Sequence, residues 1–299
     1  MAVYRKRYQA YDGPLTPAWS RFLIVCRYSF EEMRQSRFYS LAFLGTLLCP
    51  IVCALLIYLR HNLSAIESLG IPASRLISIN ESFFLFYLGF QSMLGFLVAA
   101  LRGPGLISSD LANKALPMYL SRPFSRAEYV AGKMSVLVIL LSLITWVPGL
   151  LLFILNANLE GWAWGRDNVR IAAGLFLGSW VWILVLSLLV LALSAWVKWR
   201  PVAGGLLFMI MFVGAAFANA FNQILDSRWG HLVNLSHLIG TVWLWLFGQP
   251  LELGSGAAFF RVQPGEAMPI WTVWGALLAY CLLSLWMLAR KVRAVEIVS

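Results

Sequence analysis

The chain has 299 residues, 61% of them hydrophobic and only 12% charged, with a mean hydropathy of +0.77, values that exclude an ordinary soluble globule of this size. A net charge of +10 would suggest a nucleic-acid binder in a polar chain, but here Lys and Arg flanking membrane spans account for it, and no nucleic-acid partner is expected. The composition is that of an all-α integral membrane protein, read as one transmembrane domain over residues 1–299.

Arg5, Lys6 and Arg7 precede a stretch too polar for the apolar core of a cleavable signal, so the N-terminus is expected to stay cytoplasmic. Thr16-Pro17 predicts an N-cap and first helical residue. Beyond it Trp19, Phe22, Leu23, Cys26, Phe30 and Met33 share one face, while Arg21, Glu31 and Glu32 fall away from it. This is an amphipathic helix, lying in the interface within a cytoplasmic segment 1–39 or continuing into the first span.

Uncharged runs of about 20 residues, the length that crosses a bilayer core, occur at 40–59, 82–101, 134–155, 171–197, 202–225 and 269–289. The Trp-rich run Leu238–Phe247 is too short to span and reads as a re-entrant or interfacial segment within an outer insertion, 226–268. With six spans both termini share a side. That side, completed by 102–133 and 198–201, carries 17 of the 23 Lys and Arg, which places it in the cytoplasm.

None of the predicted span cores holds Asp, Glu, Lys, Arg or His, so ion-coupled transport has no titrating group there, and either energy enters from outside the membrane or the protein is not an active transporter. Gln91, Asn219, Asn222 and Gln223 are the polar candidates for a substrate pathway, with hydrogen bonding between helices as the plainer role. Gly174-x-x-x-Gly178 marks a close helix contact, within the subunit or between subunits. Cys26, Cys49, Cys53 and Cys281 form no CxxC pair and read as small buried hydrophobes. His61, His231 and His237 fall on the outer side, expected as solvated or interfacial residues and not as metal ligands. Gly132-Lys133 lacks the rest of a phosphate loop, since Ala127 and Met134 stand where glycine and Ser/Thr are needed, so the chain is not expected to hydrolyse ATP or bind a cofactor itself.

The stretch 102–133 carries the densest local signals. Gly103-Pro104-Gly105 predicts a break after the second span, and Ser108 or Ser109 a cap with Asp110 in the first turn of a short helix that Pro117 ends. Leu111, Ala115 and Met118 line one side, with Leu116, Tyr119 and Leu120 nearby, ringed by Asp110, Asn113 and Lys114. After Arg122-Pro123, Ser125-Arg126-Ala127-Glu128 fits a capping box, so the third membrane helix should begin well below the bilayer. Lys198 to Pro201 forms a short turn between spans four and five.

This pattern resembles the cytoplasmic loop of ABC-2 type permeases, the membrane subunits of one class of ATP-binding cassette transporters. The residues that carry the resemblance are Ile107, Asp110, Leu116, Leu120, Ser121, Arg122, Pro123, Ser125, Arg126, Glu128, Tyr129, Gly132 and Lys133, in that order. Lys114-Ala115 replaces a Gly-Thr or Gly-Ser common in the family, and Pro117 follows. The resemblance implies a permease of a prokaryotic cytoplasmic membrane, paired with a second permease subunit, identical or not, and with separate ATPase subunits that hold ATP and magnesium. It implies that Ile107, Asp110, Leu111, Lys114, Leu116, Pro117, Tyr119, Leu120, Arg122, Pro123, Ser125, Arg126 and Glu128 form the first ATPase contact, and Lys198 and Arg200 the second. An aromatic-rich path would suit an amphipathic, lipid-like export substrate. The rival classes are a non-transporting membrane anchor and a lipid-modifying membrane enzyme, the latter poorly served by the scattered Glu67, Glu160, Asp167 and Glu252.

Overall fold

The structure of the protein, a computed structural model, describes residues 17, 20–34, 37–62, 78–113, 125–249 and 268–292. Six helices among them are long and apolar enough to cross a membrane: Ser40–His61, Glu81–Ala112, Arg126–Glu160, Val169–Trp196, Arg200–Leu225 and Ile270–Lys291, here spans 1 to 6. Every expected run is present. No strand occurs among the described residues, and the architecture is the all-α membrane fold expected.

Span 4 is apolar on every side beyond Arg170, a pattern that only burial satisfies. It stands as the central pillar, packed against spans 2, 3, 5 and 6 and the outer helix Leu235–Phe247. Two thirds of the apolar stretches of spans 2 and 4 are buried, against 17% of span 1 and 22% of spans 5 and 6, so three flanks stay open to lipid or to another subunit.

Two prolines bend the bundle. Pro50 has no N–H, which strips the Thr46 carbonyl of its partner four residues on. Span 1 accordingly turns at Leu47, and Gln91 of span 2 donates its Nε2 to the vacated Thr46 oxygen at 2.8 Å. Below this bond Arg37–Thr46 lies on span 2. Above it Leu48–His61 leans chiefly on Trp146–Glu160 of span 3, where His61 Nε2 meets Glu160 Oε2 at 3.0 Å. Pro148, whose missing N–H leaves the Ile144 carbonyl without its helical partner, likewise bends span 3 at Thr145; the Thr145 carbonyl accepts from the Gly149 amide at 3.2 Å and from the Tyr87 hydroxyl at 3.1 Å.

The N-terminal helix runs Arg21–Arg34, starting later than Pro17, and packs on the base of span 3. Cys26 and Ser29 are buried, and burial pushes the Cys26 thiol pKa up, which suits its reading as a small hydrophobe. Leu23, expected on the same face, is 44% exposed. Trp19 and the side chains of Phe22, Phe30 and Met33 lie outside the described set.

Other expectations are corrected. Gly103 and Pro104 keep helical dihedrals, so span 2 does not break there but bends into an elbow, Gly105–Ala112. The elbow begins before Ser108, whose hydroxyl bonds back to the Pro104 carbonyl instead of capping, and Asp110 falls near its end. His231 and His237 are not solvated; both are buried, with ring centroids stacked 4.0 Å apart.

The outer helix Leu235–Phe247 is sunk among spans 2, 4 and 6, with Trp243 and Phe247 at 1% and 2% exposure. Asn234 Oδ1 caps its start by accepting from the His237 amide at 3.1 Å. Arg170 caps its end, donating to the carbonyls of Leu246 at 3.0 Å and Trp245 at 2.9 Å. The Gly174/Gly178 stripe serves this helix, so the contact lies within the subunit: Trp243 Nε1 donates to the Gly178 carbonyl at 2.9 Å.

Candidate functional site

The end of the bundle that gathers the elbow, the base of span 3 and the Lys198–Arg200 turn is held together by polar side chains. Ser194, fully buried on span 4, accepts from the amides of Ile107 at 3.0 Å and Ser108 at 3.1 Å and donates to the Pro104 carbonyl at 2.7 Å. One hydroxyl thus satisfies three backbone groups at the elbow's start, where helix amides have no partner of their own. Gly103 lets span 2 come this close, since a Cβ there would overlap Val190. Ser194→Ala should lower stability by about 1–3 kcal/mol, the penalty of buried groups left unpaired, visible as a drop in the thermal unfolding midpoint of the detergent-solubilised protein.

Ile107 is completely buried at this anchor, so it positions the elbow and does not present a surface. Three residues on, Asp110 pairs with Lys133 of span 3 at 2.9 Å, and Tyr129 donates its hydroxyl to the same Asp110 oxygen at 2.7 Å. Tyr129 and Lys133 are one helical turn apart, so span 3 offers both groups from one face. Lys133 Nζ also lies 3.4 Å from Ser29 Oγ of the N-terminal helix. The Lys133 side chain is 7% exposed and that of Asp110 16%, so the pair is largely screened from water. Three segments distant in sequence therefore meet at one ion pair.

Span 3 starts at the expected capping box. Ser125 Oγ accepts from the Glu128 amide at 3.2 Å, and Glu128 Oε2 accepts from the Ser125 amide at 2.6 Å. Ser125 and Arg126 are exposed, as are Lys198 and Arg200. The two expected contact regions are neighbours, since a Cβ on Gly105 would sit 3.4 Å from Arg200 Nε. Leu111 is half-buried; Lys114, Leu116, Pro117, Tyr119, Leu120, Arg122 and Pro123 lie outside the described residues.

A family model described as ABC-2 family transporter protein matches residues 7–288 of the chain. The chain belongs to the ABC-2 transporter family. No curated protein matches it. It is a multi-pass permease of the kind that works with ATP-binding subunits.

The polar pathway candidates of this ABC-2 permease do not converge. Gln91 is fully buried as the clamp on Thr46, and Asn222 Oδ1 accepts from the Gly230 amide at 2.8 Å, holding a turn beyond span 5. Asn219 and Gln223 are exposed, one turn apart on a face of span 5 shared with Ala216 and Ala220. Sequence reasoning passed over Ser194, Ser29 and Trp199, the last 75% exposed between Lys198 and Arg200. Trp199 was legible as an aromatic in a two-cation turn; Ser194 and Ser29 look like any serine in an apolar run.

Proposed function

We propose that this permease exports an amphipathic, lipid-like molecule across a prokaryotic cytoplasmic membrane, both termini inside, driven by separate ATPase subunits that grip the loop between spans 2 and 3. The observation that carries the reading is the buried Asp110–Lys133 pair. Asp110 and Lys133 flank the loop in sequence, and their pair ties the elbow before it to the base of span 3 after it and, through Lys133, to the N-terminal helix. A push on the loop then moves a helix that continues through the whole bundle, and a rigid link of this kind is what couples closure of an ATPase to a change of access. Exposed cations at Arg126, Lys198 and Arg200 give the same end a basic rim for an acidic partner surface.

A second permease subunit covers the open face of span 5. Asn219 and Gln223 exposed there are costly against lipid and favourable against another helix, and Ala216 and Ala220 beside them permit close approach. The sequence Leu116-Pro117 to Leu120 supplies the apolar part of the ATPase contact. Leu116→Asp combined with Leu120→Asp should abolish copurification of the ATPase while the permease still reaches the membrane. Retained copurification would remove the docking role from this loop.

A further inference from the structure

We propose that the groove between spans 1 and 2 is a binding site for one hydrocarbon chain of a membrane lipid, taken from the leaflet at the end of the bundle opposite the elbow. The cavity measures about 710 Å³, within the range of ligand sites. Its origin is the Pro50 bend: Gln91 pins Thr46 to span 2, and above that clamp the upper half of span 1 swings toward span 3, leaving a slot on the span 2 side.

The slot is amphipathic along its length. Val52, Leu56, Phe86 and Phe90 form its walls, while Gly45 and Leu94 line its end nearer the elbow. Ser78, Asn80 and Ser82 stand where span 2 begins, giving the slot a polar end for a headgroup. From Asn80 to Leu94 the helix rises roughly 21 Å, enough to hold a chain through one leaflet, about 15 Å of the core. Val52 and Phe86 are 47% and 56% exposed, so the slot opens sideways toward the membrane.

Size and polarity select the occupant. A helix ~10 Å across would need roughly 1,600 Å³ over that length, far more than the slot offers. Water gains nothing from walls with so few polar groups. A single acyl chain fits both limits, with its headgroup beside the Ser78, Asn80 and Ser82 side chains. The inference goes beyond the export reading and does not depend on it, because a resident lipid would occupy the slot whether or not the protein moves a substrate.

The test uses the full-length protein in phosphatidylcholine vesicles doped with phosphatidylcholine carrying a diazirine midway along one chain. After photolysis, labelling at Phe86 and Phe90 is compared with labelling at Leu278 and Leu282, which are 60% and 65% exposed on span 6. The expected result is about tenfold heavier labelling in the groove, the excess that 1.4 kcal/mol of preference gives. Gly45→Phe should bring the groove down to the level of span 6 and leave span 6 unchanged, since a Cβ at Gly45 meets no atom within 4 Å. Val52→Trp fills the same slot from its open wall and serves if Gly45→Phe fails to fold. Equal labelling at both places in the unsubstituted protein, or excess labelling that survives both fillings, would overturn the proposal.

Discussion

Lys133→Met should destabilise the solubilised permease by about 3 kcal/mol, the lower end of the cost of stripping one partner from a buried ion pair, because Asp110 keeps 16% of its surface. The loss has little to do with the strength of the bond itself. Among the described residues, removing the ammonium leaves the carboxylate only the Tyr129 hydroxyl as a side-chain partner, in a place largely shut off from water. Asp110→Leu should cost a similar amount by stranding the cation. The double variant, Asp110→Leu with Lys133→Met, should be more stable than either single one, since no uncompensated charge remains. Chemical denaturation in detergent measures this cycle. The double variant then separates a link from a brace: it should fold and still bind the ATPase, yet lose ATP-driven transport in vesicles. Undiminished transport would mean that the pair only holds the elbow in place.

How far the sequence announces this arrangement depends on whether a feature is local. The spans are legible because charge-free runs long enough to cross a bilayer have no other stable home, and the base of span 3 because Ser125 and Glu128 cap it within four residues. Features that one segment completes for another are not legible. Pro50 announces a free carbonyl at Thr46, but nothing near it names Gln91, 45 positions on, as the donor. Ser194 gives no sign of the elbow it anchors, because its three partners begin 86 residues away. Gly103-Pro104-Gly105 reads as a break in isolation, and stays helical because Ser194 and the approach of Val190 hold the chain in line. His231 and His237 read as solvated residues until the fold stacks one ring on the other. Asp110 and Lys133 were each visible in the motif, but their pairing needed two spans to be set side by side.

Gly178→Leu should dislodge the outer helix. A Cβ alone at Gly178 would sit 2.9 Å from the Trp243 ring, and one at Gly174 would sit 2.8 Å from the Phe247 ring. Trp243 and Phe247 are a helical turn apart, as are the two glycines, so each ring seats over one gap in span 4. Both rings are buried and the Trp243 donor is committed to the Gly178 carbonyl, so neither has room to yield. Filling one gap with Ala should cost about 1–3 kcal/mol, as overpacking does; Leu exceeds what the seam can absorb. A cysteine introduced at Leu244, buried at 1% exposure, reports the outcome: inert to a water-soluble maleimide in the parent, it should react once Gly178 carries a leucine. Because this seam lies at the end of span 4 remote from Ser194, ATPase copurification should be unaffected while transport fails. If copurification failed too, the two ends of the pillar would be answering to each other, and the elbow could not be the only route by which force crosses the bundle.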